Sequence, residues 1–303
     1  MMRMKSLAVT LLVIAAGAAS AQPVTRVCEA LDTRIAQSPA NLEGRVLNEA
    51  LFEAAALDCP QTALGLLENG ASVEARNRFG GTPLNVAAAH GAHEIVAALL
   101  ERGASLDHPN LAGTSPLLAA VQEGRRRMAS YLIAAGADVN LANREGVTPV
   151  MAAAFEGDRR MLTALLEAGA DPDAEDRHGK GALVYAAGRA FPASVELLLE
   201  ADADPDRVWG HKLTALMWVA GHSNDAPAAD GLAVAAALLD AGARIDLQDD
   251  RGRTALMIAA ERGHAQMVEY LLDAGADPGI RDNMGMTAPD LAVSDEIRSL
   301  FRP

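Results

Sequence analysis

The chain is short of aromatic rings, of cysteine and of positive charge. Only ten of its 303 residues are aromatic and two are cysteine, while 40 acidic groups face 26 basic ones for a formal net charge of −14. Such a balance disfavours phosphate backbones and anionic membrane surfaces, so nucleic acid is not an expected partner; it favours solubility and basic partners. So few rings leave few large side chains to anchor an interface. Half the residues are apolar, which excludes a disordered chain, but the excess is mostly alanine. Alanine suits closely stacked helices better than a globule with a bulky centre.

Long apolar runs are absent except near the start. Arg3 and Lys5 precede an apolar stretch over residues 7–19, and Ala19-Ser20-Ala21 stands ahead of Gln22. These are the zones of a secretory signal with a small-residue cleavage site, expected to be cut after Ala21. The stretch is shorter than the ~20 apolar residues of a membrane span. Cleavage removes two basic residues and no acid, leaving 24 basic against 40 acidic groups, a charge of −16. The expected product is periplasmic, with no membrane insertion after cleavage. In an oxidising compartment Cys28 and Cys59 form a candidate disulfide, whose closed loop would contribute about 3 kcal/mol on the chain-entropy account. Two buried thiols are the alternative.

What is abundant is repetition. Gly-Ala pairs begin at Gly70, Gly103, Gly136, Gly169, Gly242 and Gly275, with Asp202-Ala203 filling the slot between the fourth and fifth. A second marker, Thr82, Ser115, Thr148, Gly181, Thr214, Thr254 and Thr287, shares the same period of 33 residues and the same single interruption of 40. In the unit at residues 82–104, Thr82-Pro83 starts a short helix, small residues such as Ala87 and Ala88 let a neighbour approach, and Gly91 ends it. Ile95, Val96, Leu99 and Leu100 then keep helical spacing up to Gly103, a left-handed cap. Residues 105–113, rich in turn formers, lead to the next unit as a projecting finger. A helix pair of this size cannot bury its apolar stripe alone, so successive pairs must stack.

The Gly-x-Thr-Pro-Leu, Ala-Ala and Leu-Leu-x-x-Gly-Ala segments of residues 80–104 and 146–170 resemble the ankyrin-repeat family, and the resemblance covers about residues 46–300. It implies an all-α fold: an α-solenoid of about eight ankyrin-type helix-turn-helix repeats with β-turn fingers. The histidine usual after Thr-Pro-Leu is replaced by Asn85, Leu118, Met151, Val184, Met217 and Met257. The expected organisation is a signal peptide at 1–21, a capping helix and linker at 22–45, and repeats at 46–303, from a degenerate first unit to a truncated last one. Val27, Leu31 and Ile35 mark an amphipathic helix over the exposed end, which a Cys28–Cys59 bond would hold down.

No paired acids, zinc spacing, nucleophile triad or phosphate loop stands out, so no catalytic residue, metal or cofactor is expected. Arg125-Arg126-Arg127 reads as a solvated face. The resemblance implies a concave face of finger tips and inner-helix ends, which receives a protein partner, expected to be a periplasmic enzyme or envelope component. The mapping puts Arg78, Phe79, Arg144, Arg177, His178, His211 and Arg251 on tips, and His90 and Phe155 at inner-helix ends. Trp209, in a slot held elsewhere by Asn or Asp, is an expected exposed anchor; Tyr185 and Trp218 are expected in the core. The primary reading is a non-enzymatic scaffold, monomeric when free. The rivals are a metal-dependent hydrolase in the irregular repeats 181–246, using His211, His222 and Asp225, and a secreted effector acting on host proteins.

Overall fold

The computed structural model describes residues 22–37, 44–221 and 228–301. The expected signal at 1–21 lies outside them, as do His222 and Asp225. Among the described residues seventeen helices follow one another: α1 (Gln22–Ala36), α2 (Gly44–Leu57), α3 (Pro60–Glu68), α4 (Pro83–His90), α5 (His93–Glu101), α6 (Pro116–Gln122), α7 (Arg126–Ala134), α8 (Pro149–Glu156) and α9 (Arg159–Glu167). The second half continues with α10 (Ala182–Gly188), α11 (Pro192–Glu200), α12 (Ala215–Gly221), α13 (Ala228–Asp240), α14 (Ala255–Arg262), α15 (Ala265–Asp273), α16 (Ala288–Leu291) and α17 (Asp295–Ser299). The described residues contain no strand, only an isolated bridge between Trp209 and Leu213. None of their helices is long and apolar enough to cross a membrane. The architecture is an α-solenoid.

Local chemistry sets each helix. Ahead of α4, Thr82 in extended backbone accepts the Asn85 amide proton on its hydroxyl, and the Asn85 side chain accepts from the Thr82 amide at 2.8 Å. Such a cap contributes about 1 kcal/mol, and Pro83 at the first position loses no hydrogen bond. Gly91 closes the helix at φ 80°.

Packing then follows from size. The even-numbered helices α2 to α16 contact one another in sequence as an inner row, and each pairs with the outer helix that follows it. Ala87, Ala88, Ala120, Ala153, Ala154, Ala186, Ala187, Ala259 and Ala260 are at most 1% exposed, which lets neighbouring inner backbones come close. Ile95, Leu99, Leu132, Leu162, Leu165, Leu198, Val234 and Leu271 fill the space between the two rows. Asn85 replaces the family histidine in kind, donating to the carbonyls of His108 (3.0 Å) and Thr114 (3.3 Å) and so tying its unit to the next finger. Buried Leu118, Met151 and Met217 fill the same slot with apolar bulk.

The two ends are covered. Helix α1 lies on α2 and α3, with Leu31 2% exposed, the Thr62 hydroxyl donating to Asp32 at 2.6 Å, an Arg34–Glu53 ion pair and the Cys28–Cys59 disulfide. The face against the stack is Cys28, Leu31 and Ile35; Val27, expected on it, is 43% exposed. The disulfide claims position 28 for the inner side, and the helical period then turns Val27 outward. At the far end α16 and α17 have only four and five residues, and Ile297 is 3% exposed.

The irregular units keep the geometry of the regular ones. Asp202 and Lys212 stand in glycine slots with φ of 63° and 58°, so the left-handed turns are retained at a cost of about 1 kcal/mol each. Part of the added length extends α13, which has 13 residues where α5, α7, α9, α11 and α15 have nine.

Replacing both Cys28 and Cys59 by serine should destabilise the chain by about 2–4 kcal/mol. The loss should fall on α1, read as faster amide exchange there while exchange in α6 to α15 is unchanged. Asp290 provides a second test. The backbone amide of Thr287, then its hydroxyl, hold this carboxyl below the usual carboxylate range. A depressed folded-state value means stability that is full above about pH 4 and is lost as pH falls through the lower folded value. Protection of the Thr287 amide should therefore persist through the usual carboxylate range and drop only at lower pH, and Asp290→Ala should remove that dependence.

Candidate functional site

The fingers are built by one repeated side-chain device. Asn77 accepts the amides of Phe79 (2.9 Å) and Gly81 (3.0 Å), and Asn110, Asn143, Asp176, Asp249 and Asp282 do the same for the residues two and four places on. Adjacent tips are then joined through backbone: Leu111 to Phe79 (2.8 Å), Arg144 to Ala112 (2.9 Å), Arg177 to Glu145 (2.9 Å), Asp250 to His211 (3.0 Å) and Asn283 to Arg251 (2.9 Å). At Gly113 a Cβ would stand 2.6 Å from the Arg144 nitrogen, so the close approach of two tips requires glycine there.

Between fingers and inner helices runs a groove. Its part at the second and third units encloses about 300 Å³ and is lined by Asn77, Phe79 and Asn110 from the fingers and by Val86, His90 and Gln122 from the inner helices. Phe79 is 56% exposed with the Arg78 guanidinium 4.7 Å from its ring centroid, and Leu111 on the adjoining tip is 58% exposed. Arg144, Arg177, His178 and Arg251 are exposed on their tips, and exposed His211 faces Asp250 at 3.5 Å. His90 is exposed and donates from Nδ1 to the Val86 carbonyl at 2.9 Å.

Further along, five of the ten rings gather with two cations. Phe155, 38% exposed, meets Tyr185 edge-on at 5.9 Å. Arg189 lies 4.9 Å from the Phe155 centroid and 5.6 Å from that of Phe191. Lys180 stands 6.0 Å from Tyr185 and 5.5 Å from Trp218, which in turn meets Trp209 at 5.8 Å. The Tyr185 hydroxyl donates to Asp176 at 2.5 Å. Burial, then that hydrogen bond and the carboxylate charge, push its pKa well above the usual tyrosine value, so it stays a donor. Gly188 makes room for Trp218, since a Cβ there would lie 2.2 Å from the indole nitrogen.

Two expectations are corrected here. Trp209 is 5% exposed, not an exposed anchor. The slot it occupies faces inward: Asp176 and Asp249 in the same position are 7% and 6% exposed because they bind the amides of their own fingers. With no oxygen to do so, residue 209 pairs its backbone twice with Leu213 (3.1 and 3.0 Å) and buries the indole against Trp218. Tyr185 and Trp218, expected in the core, are half-buried. Reasoning from the sequence left Lys180 off the face, whereas the repeat register already placed Leu111 on a finger tip and Arg189 at an inner-helix end. Of the residues considered for a metal, His211, His222, Asp225 and Asp230, only His211 and Asp230 are described, and no group of three or more His, Cys, Asp or Glu able to hold a metal occurs among the described residues.

A family model of ankyrin repeats matches residues 51–143, 135–208, 183–282 and 226–300. A search of curated proteins finds no match. With stacked helix pairs, linked fingers and a family match running from residue 51 to residue 300, the chain belongs to the ankyrin-repeat family, whose repeats serve generally as protein-interaction scaffolds.

Proposed function

We propose that this chain is a non-enzymatic, exported scaffold that holds a protein partner in the groove between its fingers and inner helices. The observation that carries the reading is a row of exposed apolar and aromatic side chains, Phe79, Leu111 and Phe155, set on backbone that neighbouring units already hold in place. A preformed face loses little freedom on binding, and aromatic and arginine side chains are the usual anchors of interfaces. Arg78, Arg144, Arg177, Lys180, Arg189 and Arg251 accompany that row within a chain of net charge −14. Glu123 lines the groove as well, and exposed Glu145, Glu156 and Asp250 stand on the same face, so the partner segment seated there meets charge of both signs. The signal-like residues 1–21 and the Cys28–Cys59 bond both support a periplasmic location, and a periplasmic enzyme or envelope component as the partner.

The test uses the chain from Gln22 onward as bait in an envelope extract, followed by purified reconstitution of the captured protein. Replacing Phe79, Leu111 and Phe155 together by alanine should weaken that complex at least about tenfold. Helix content and melting should be unchanged, because all three side chains are more than a third exposed. Unaltered affinity would remove the groove from the interface. For the location, fractionation should place the protein in the periplasm with Gln22 as its first residue.

A further inference from the structure

At the ends of the inner helices away from the fingers, an open cavity of about 810 Å³ spans the second, third and fourth units. His90, His93, Arg125, Arg126, Arg127 and Arg160 contribute to its lining. We propose that it binds a ligand carrying clustered phosphate-type oxyanions.

The first support is the unused charge. Arg126 pairs with Asp158 at 2.5 Å and Arg125 donates to the Ala89 carbonyl at 3.0 Å, so these two are fixed in place. Arg127 and Arg160 have no hydrogen-bond or ion-pair partner among the described residues. Guanidinium groups converging on a hollow match oxyanions in geometry as well as in charge, since each offers two parallel donors.

The second is a local rule broken repeatedly in one place. A helix begins with the positive end of its dipole, so basic residues in the first turn are unfavourable. Yet α7 starts Arg126-Arg127 and α9 starts Arg159-Arg160, with no acidic residue in either first turn. The outer helices α3, α11 and α15 begin Pro-Gln, Pro-Ala and Ala-Gln. Neither α5 nor α7 has a side-chain cap, and these two are the neighbouring outer helices in loosest contact, which opens the hollow between them. Asp158 caps α9 and offsets Arg126 alone, so the repulsion among the remaining arginines fits a bound anion as its counter-charge.

The third concerns scale. The net charge of −14 argues against anionic ligands for the molecule as a whole. Screening limits that field to about 8 Å at physiological salt, so inside the cavity the arginines set the potential. No Phe, Tyr or Trp side chain lines the cavity to offer the stacking platform usual for nucleic-acid bases.

Sodium tripolyphosphate is the soluble probe, titrated calorimetrically at about 150 mM salt. Flotation with phosphatidylglycerol vesicles, against phosphatidylcholine vesicles, tests a headgroup as the source of the same chemistry. At least one anionic probe should bind the native chain, and R127Q with R160Q should weaken it at least about tenfold. R102Q, an exposed arginine at the far end of α5, should leave affinity within about twofold. Tripolyphosphate binding assigns the site to a free ligand, and vesicle binding alone assigns it to a headgroup. Failure of both probes, or equal weakening by R102Q, would overturn the proposal. All three arginines are exposed, so the melting temperatures of the variants should match that of the native chain.

Discussion

A single two-helix unit in this protein has apolar surface on both flanks and no means of covering either. Everything else in the structure answers to that fact. Alanines on the inner row remove the volume that would keep neighbouring backbones apart, and leucines between the rows supply the bulk the alanines do not. Between units, side-chain oxygens cross-link the stack: Asn140 accepts the amide of Asp171, Asp173 that of Asp204, Asp206 that of Arg244 and Asp246 that of Asp277. Stability in such an array is a sum over neighbours, so the outermost units are the weak points. Helix α1 with its disulfide and the shortened α16–α17 pair stand at those points.

The fold was legible because its signals are local chemistry repeated at a fixed interval. A hydroxyl at the start of a helix, a glycine able to turn left-handed and a pair of leucines each have one structural meaning, and their recurrence in register leaves little room for another reading. The site was legible in register but not in depth. Residue 209 was correctly aligned with the Asn and Asp of other fingers; what the alignment leaves unsaid is that those side chains face inward to hold their own turn. Val27 and Cys28 differ by one helical step, and only the partner of the cysteine decides which faces the stack. Tyr185 and Trp218 share a slot with Val86 and Ile258, but larger rings reach past the space an aliphatic side chain fills and emerge in the groove.

The distribution of charge matters more here than its total. An acidic molecule carries a basic region at the helix turns, made by residues from several units, and a groove where both signs meet. Arg125, Arg126 and Arg127 read as solvent-facing in sequence and are indeed exposed; their convergence with Arg160 and His90 depends on the one-unit translation that brings distant segments level. A repeat architecture thus turns a residue type recurring every 33 positions into a stripe, and a departure in two adjacent units into a patch.

The seven extra residues of the sixth unit illustrate how such a stack accommodates change. Despite them, Asp250 still meets His211 at one rim and Arg244 still meets Asp206 at the other, so the phase of the array is preserved across the addition. The surplus falls after α12, part of it as the longer α13. Evolution can therefore revise that corner, in length and in chemistry, without renegotiating any joint on which the remainder of the tower stands.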